Sequence, residues 1–375
     1  MTNEIILIIE CCRLSQDFKL IEEKISLIKN WDEFISLAYS HGVFPLVYQV
    51  LKKHEDKIPL NTFAFMKQTY MDIVKYNMLL TSELIKIMKI LEENDIKAIA
   101  FKGSTLAQLA YGDVTLRQYV DLDLLVEKEN IFKIEDLLKD KYTRALKLTS
   151  SQEETWFKYA HDLSLTHENG INIEFHWQMF DSNHPINLGK INFFEESIKT
   201  IINNQNINTI SNEKFLVYLC IHGSKHLYER IEWVSDIDRF IKTQKIDWEK
   251  VENIIKNDNS ERFFLLGLFL SKLLFETKLS KNYEDKFDKE YESISSHIFD
   301  TWNGKEKSDN KSNMKYMLKL FVSKSDKLKY LNKMYFKPTF TEYWYINFPK
   351  PLYFLYYPLR QYLLLKKYFF DKKDI

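Results

Sequence analysis

Two aspartates two residues apart, Asp121 and Asp123, lie in the stretch Tyr119 to Val126 (YVDLDLLV). Strand side chains alternate faces, so these two carboxylates point the same way while Leu122, Leu124 and Val126 can turn to a core. Carboxylates side by side repel, and a divalent cation resolves the repulsion. Magnesium prefers oxygen ligands and bridges carboxylates to phosphates. A third carboxylate, Glu174, lies in Ile171 to Trp177 (INIEFHW), with parity opposite to Ile173 and Phe175 and equal to His176. If this strand pairs beside the first, Glu174 reaches the same metals. Three carboxylates suit two magnesium ions, one activating an attacking hydroxyl, the other steadying a nucleoside triphosphate and its leaving pyrophosphate. Glu174 can also accept the proton of the attacking group.

Upstream, Gly103-Ser104 follows an apolar run and opens a helical one. A turn of that kind offers backbone N–H groups, a hydroxyl and a helix N-terminus to a phosphate. Lys102 adds charge beside it, and Arg117, four residues before Asp121, can clamp the β and γ phosphates. His176 can touch substrate, orient Glu174, or bond to backbone at a strand end; His161 can lie near the same edge. His222 and His226 share a helix face, but Gly223 stands where the zinc-protease motif has Glu, so zinc is not indicated. Asp236 is expected to pair with one of these histidines or with Lys225, or to make a buried contact between helices.

The elements that must position these groups follow from hydrophobic spacing. Residues 1–95 show helical periodicity that stops at Glu93-Asn94-Asp95. Ile96 to Phe101 is a short buried strand, and a short helix follows Gly103-Ser104. Glu129 to Lys139 reads as a helix. Asp162 to His167 and Ile171 to Trp177 read as strands joined by Glu168-Asn169-Gly170, a hairpin signal. Helical spacing returns from about 190 and continues to about 330, with the polar stretch Thr301 to Asn313 as a loop. The chain thus divides into an N-terminal helical region 1–95, a core 96–180, a C-terminal helical domain 181–334 and a tail 335–375.

Strand, Gly-Ser turn, helix and Asp-x-Asp strand, in that order, resemble the nucleotidyltransferase superfamily that includes DNA polymerase β and the antibiotic nucleotidyltransferases. Several segments are similar to the bacterial uncharacterised nucleotidyltransferases: Phe101 to Ser104, Arg117 with Asp121 to Val126, Ile173 to Trp177, and CIHGSKHLYERIEWVSDI, which holds His222, Lys225, His226, Trp233 and Asp236. The resemblance spans roughly residues 40–375, with specific motifs only in 96–240. It implies an α+β fold, a mixed-sheet core flanked by N-terminal and C-terminal helical regions. It also implies magnesium-dependent transfer of a nucleoside monophosphate from a nucleoside triphosphate to an acceptor hydroxyl or phosphate, with His222, Lys225 and His226 in nucleotide or acceptor binding. The gap from Gly-Ser to Asp-x-Asp is longer than the minimal superfamily pattern, by an insertion that holds Tyr111 to Arg117.

Composition narrows the remaining classes. Lys and Arg number 53 against 53 Asp and Glu, which gives no support to a general nucleic-acid binder but leaves room for a local basic cleft. Three cysteines, Cys11, Cys12 and Cys220, form no Cys-x-x-Cys pair and fit a reducing cytoplasm. The apolar N-terminal stretch lacks a basic leader and reads as a helix rather than a signal peptide. No apolar run of about 20 residues is present for a membrane span. The tail mixes Lys350, Arg360, Lys366 and Lys367 with many aromatics. It suits packing on the protein body, a protein partner, peripheral attachment to a membrane, or stacking of single-stranded nucleic acid. The acceptor stays open among a small molecule, a saccharide, a protein and tRNA. A toxin-like enzyme acting on tRNA or protein, and a non-catalytic module in cell-surface polysaccharide production, are the alternatives.

Overall fold

The computed structural model describes residues 1–144, 148–180, 186, 191–257, 260–305 and 310–369. Five helices come first: α1 (Asn3–Cys12), α2 (Phe18–Ser26), α3 (Trp31–Ser40), α4 (Phe44–Leu51) and α5 (Leu60–Glu93). Thr2, Asp17 and Asn30 cap the first three by accepting bonds from first-turn amides. The long α5 buries one stripe, including Phe63, Met66, Ile73, Leu80, Leu84, Ile87 and Leu91. It ends where the turn residues predict, with Asn94 and a left-handed Asp95 (φ 55°).

The mixed segment follows: β1 (Ala98–Ala100), α6 (Gly103–Tyr111), β2 (Asp121–Val126), α7 (Ile131–Leu138), β3 (Tyr142–Arg144), α8 (Ser150–Tyr159), β4 (Asp162–His167) and β5 (Asn172–His176). Then come β6 (Ile198–Ile202), β7 (Gln205–Thr209), α9 (Asn212–Lys225), α10 (Ile231–Thr243), α11 (Trp248–Asn257), α12 (Glu261–Phe275), α13 (Lys281–Glu284), α14 (Lys289–Trp302) and α15 (Asn310–Leu320). The chain closes with α16 (Lys324–Tyr335), α17 (Phe340–Tyr345) and α18 (Tyr356–Phe369). The main sheet has the strand order β1-β2-β5-β4-β3, and β6 and β7 form a separate ribbon. The fold is α+β, as expected. Among the described residues no helix is long and apolar enough to cross a membrane.

The chain forms two compact units, Met1–Leu124 with Asn192–Leu320, and Leu125–Ile191 with Phe321–Ile375. In the first, α9 packs on α12, α10 on α6, and β7 on β1 and α5. The Phe101 N–H donates to Asp123 O (3.4 Å), tying the end of β1 to β2. All three cysteines are free and buried. Two readings need correction here. The helical spacing from 190 is interrupted by the β6–β7 ribbon, whose two-residue turn, Asn203 and Asn204, holds positive φ at both positions (48° and 61°). The stretch Thr301 to Asn313 is helical at both ends. Trp302 is buried and extends α14, and α15 starts at Asn310; residues 306–309 lie outside the described residues.

Gly223, the residue that breaks the zinc-protease pattern, has a packing reason. After α9 the chain turns through Leu227 and Tyr228 (φ 46° and 47°) and folds the Tyr228 ring back against Gly223. The Tyr228 hydroxyl donates to Cys220 O (2.9 Å), and its N–H to Gly223 O (2.8 Å). A Cβ at position 223 would run into that ring. Gly223→Ala is therefore expected to lose about 1–3 kcal/mol of stability through overpacking. A denaturation midpoint equal to wild type would contradict this packing argument.

In the second unit, β3, β4 and β5 pair antiparallel, with Ser164 opposite Glu174 and Asp162 opposite His176. The turn through Asn169 and Gly170 (φ 88°) closes with the His167 N–H donating to Ile171 O (2.8 Å), as the hairpin signal predicts. Arg144 on β3 bonds Glu135 and Glu153 and lies over the Trp156 ring. The tail joins this unit: α17 packs on α8 and α18, and Lys350 donates to Glu154 (2.8 Å). Residues 370–375 of the tail lie outside the described residues.

Candidate active site

Strand β1 is buried at all three residues, so the chain leaves it with a fixed direction. Lys102 is extended and precedes α6, whose N-terminus no side chain caps. The first-turn amides of a helix have no partner within it and are donors toward an anion. Gly103 is required here. Its φ is +50°, and a Cβ would lie 3.4 Å from Asp121 O and 3.5 Å from the Tyr119 ring.

Asp121 and Asp123 line the same cavity as Lys102 and Gly103, while Leu122 and Leu124 are buried in the core, which is the alternation expected of the strand. Asp123 is 5% exposed, and Lys102 Nζ donates to its Oδ1 at 3.2 Å. Burial works against the Lys102 charge. The Asp123 carboxylate, the Tyr218 hydroxyl and Asp121 outweigh it, and the lysine pKa ends above its ordinary value. The ammonium stays charged and faces the buried Asp123 carboxylate.

The insertion before β2 has a clear support. Asn77 of α5, 1% exposed, donates to Val114 O (3.0 Å) and Arg117 O (2.8 Å). The Tyr119 hydroxyl lies 3.2 Å from that of Thr81. The Arg117 side chain lines the cavity, but its guanidinium is held elsewhere. Nε and Nη2 donate to the Asp236 carboxylate at 3.0–3.1 Å, and Nη2 lies 3.6 Å from Glu232 Oε1. Asp236 also accepts from the Tyr111 hydroxyl (2.7 Å). Asp236 thus pairs with Arg117, not with the histidines or Lys225, and it joins α10 to the insertion.

His222 lines the cavity together with Tyr218, Leu219 and Trp233. Tyr218 and His222 stack at 5.6 Å, and Trp233 meets His222 edge-on at 5.4 Å and His226 at 5.5 Å. Burial, then Lys102 and the other nearby cations, hold His222 well below its ordinary pKa. Burial, Lys225 and Lys102 depress His226 to about 4, and burial with Arg230 does the same to His41. An unfolded imidazole protonates near 6.5, so between pH 6.5 and 4 the unfolded chain binds more protons than the folded one. The stability these two histidines contribute is full above that window and falls as pH drops through it, by about 2 kcal/mol each at pH 5. His226→Gln should flatten the pH dependence of the denaturation midpoint by its share, and an unchanged slope would overturn the assignment.

In the first unit, then, the structure gathers Lys102, Gly103, Arg117, Asp121, Asp123, His222 and Asp236 around one cavity. Ser104 is fully buried, and neither it nor Lys225 nor His226 lines that cavity. In the second unit, Glu174 and His176 lie on one face of β5, with His176 Nε2 3.3 Å from Glu174 Oε2. Glu232 and Arg230 also line the cavity and were not anticipated. Burial raises the Glu232 carboxyl well above the usual range against the pull of Arg117 and Arg230. Nothing in the local pattern around Glu232 marks it as inward-facing; Tyr218 could have been found from its spacing of four to His222.

A family model described as uncharacterised nucleotidyltransferase matches residues 29–276. The chain belongs to that family. No curated protein matches it. Among solved structures, the antibiotic-resistance factor ANT(2'')-Ia is similar at 12% identity and a TM-score of 0.35, over 49% of this chain and 94% of that one. The lincosamide antibiotic adenylyltransferase LnuA, with lincomycin bound, is similar at 17% identity and a TM-score of 0.31, over 44% and 97%. An antigenic nucleotidyltransferase-like protein from Paracoccidioides brasiliensis is similar at 14% identity and a TM-score of 0.32, over 55% and 94%. The matched residues include the Gly-Ser turn, both aspartates, Glu174 and the segment from Cys220 to Ile237.

Proposed function

We propose that the protein transfers a nucleoside monophosphate from a nucleoside triphosphate to an acceptor hydroxyl or phosphate, with magnesium. The observation that carries this reading is the placement of Asp121 and Asp123 on one cavity with Lys102 and the uncapped start of α6. The donor set fits the ion: hard carboxylate oxygens, one of them deeply buried, suit magnesium rather than a softer metal. Asp121 and Asp123 would hold it, and Glu174 would complete the metal set or act as base. When bound, two magnesium ions would supply activation of the acceptor oxygen and neutralisation of the leaving pyrophosphate.

The chain's own residues do the rest. The amides at Gly103 and Ser104 receive phosphate oxygens at the start of α6, while the Ser104 hydroxyl is buried. Lys102, released from Asp123, follows the negative charge of the triphosphate. Arg117 supports the site by fixing the insertion to Asp236. As base, Glu174 would accept the proton of the attacking hydroxyl, with His176, 3.3 Å away, orienting it. The uncharged rings of His222, Tyr218 and Trp233 form a wall suited to a base or an acceptor ring, with His226 against Trp233.

A basic groove toward Asp121 would favour a tRNA acceptor. The cavity lining instead sets Lys102, Arg117 and Arg230 against Asp121, Asp123, Glu232 and Asp236. The test of the reading is magnesium-dependent binding of the four ribonucleoside triphosphates to the wild-type chain. Binding of at least one supports it, and binding of none by the folded protein contradicts it.

A further inference from the structure

The tail carries a surface that the transfer reaction does not use. From Lys324 to Phe369 nine Lys and Arg stand against two acids, Asp326 and Glu342, although the whole chain balances 53 against 53. One face of α18 is anchored within the second unit. Tyr356 is buried against Tyr343 (ring centroids 3.9 Å), Arg360 donates to Glu342 (3.0 Å) and Met334 O (3.0 Å), and Gln361 donates to Tyr335 O. The other face is bare and apolar. Phe354 (63% exposed) in the turn just before α18, and Tyr357 (55%), Tyr362 (55%) and Leu365 (54%) on it, are all exposed, with Leu352 also exposed in the turn. Trp344, Tyr345 and Ile346 add exposed apolar area, and Lys366 Nζ lies over the Tyr345 ring at 5.9 Å.

We propose that this face is a docking surface for an anionic membrane, lying in the headgroup region without crossing the bilayer. Three observations select that occupant. Tyr and Trp with Leu and Phe on one side, and lysines at the border, match the layered polarity of a bilayer interface. The excess positive charge complements anionic lipid. It also opposes a second copy of the same surface, because like charges would face each other. Single-stranded RNA would use the rings and cations but leaves Leu352 and Leu365 without a role, and the one arginine of the segment is held by Glu342.

The experiment is co-sedimentation of the full chain with vesicles of phosphatidylcholine alone and of phosphatidylcholine with phosphatidylglycerol. Binding is expected only with phosphatidylglycerol and should fall as salt rises. Tyr357→Ser/Leu365→Ser and Lys366→Glu/Lys367→Glu should each weaken it about tenfold or more. Both pairs change surface positions, and an unchanged circular dichroism spectrum will show that the fold persists. Absence of vesicle binding, equal binding to both vesicles, or self-association through this face in place of vesicle binding would overturn the proposal. So would retention of a single-stranded RNA oligonucleotide without retention on vesicles. None of these outcomes bears on the nucleotide site.

Discussion

Asp236→Ala is expected to cost about 3–5 kcal/mol of folding stability, among the largest losses any single substitution in this chain should produce. Asp236 is 0% exposed and Arg117 is 8% exposed, so the guanidinium cannot turn to water when its partner goes. Three donor contacts at 3.0–3.1 Å disappear together, and the Tyr111 hydroxyl loses its acceptor at the same time. Glu232, 3.6 Å from Nη2, offsets only part of the charge. Asp236→Asn, which keeps the shape and one acceptor, should lose less. Arg117→Leu/Asp236→Leu removes both charges and should recover much of the loss, because a buried pair replaced by apolar groups is often close to neutral. Denaturant midpoints of the four proteins test this. If Asp236→Ala is as stable as wild type, or the double variant is the least stable, the pair does not hold α10 to the insertion.

Much of the site was legible because its determinants are local. The alternation in YVDLDLLV fixes which side the two aspartates share, and the burial of Leu122 and Leu124 follows from it. Gly103 was legible as a turn residue, and its positive φ, beside Asp121 O and the Tyr119 ring, favours glycine there. The Glu168-Asn169-Gly170 turn set the β4–β5 register in the same local way. What was not legible depends on distant partners. Asp236 lies 119 residues from Arg117, and no spacing rule links an aspartate on α10 to an arginine in an insertion. Sequence placed Asp236 beside the histidines because they share a segment; the fold turns it toward the insertion instead. The β6–β7 ribbon was hidden by composition. Only Ile207 among the five residues of β7 is apolar, so alternation is faint, and the signal lay in the Asn203-Asn204 turn. The helical ends of Thr301 to Asn313 were hidden by the polar composition of the stretch, in which the buried Trp302 is the one large apolar residue.

The second large effect concerns the carboxylates themselves. Asp121→Asn/Asp123→Asn removes both negative charges of β2 while preserving volume. Without them the cavity keeps Lys102 and the start of α6, but it loses the two carboxylates proposed to hold the cation. Removal of metal ligands in a transfer enzyme should lower turnover by about 10³-fold or more, since the charge of the pyrophosphate is then left uncompensated. Stability should change little. The buried Asp123 charge leaves, and Lys102, 24% exposed at its side chain, can turn toward solvent.

The measurement that tests the central claim most directly is calorimetric binding of each ribonucleoside triphosphate, with and without magnesium, to wild type and to Asp121→Asn/Asp123→Asn. The account predicts magnesium-dependent binding by wild type that is lost in the double variant while the fold is retained. Equal binding by both proteins, or binding by wild type that ignores magnesium, would contradict the assignment of Asp121 and Asp123 as the metal-holding pair.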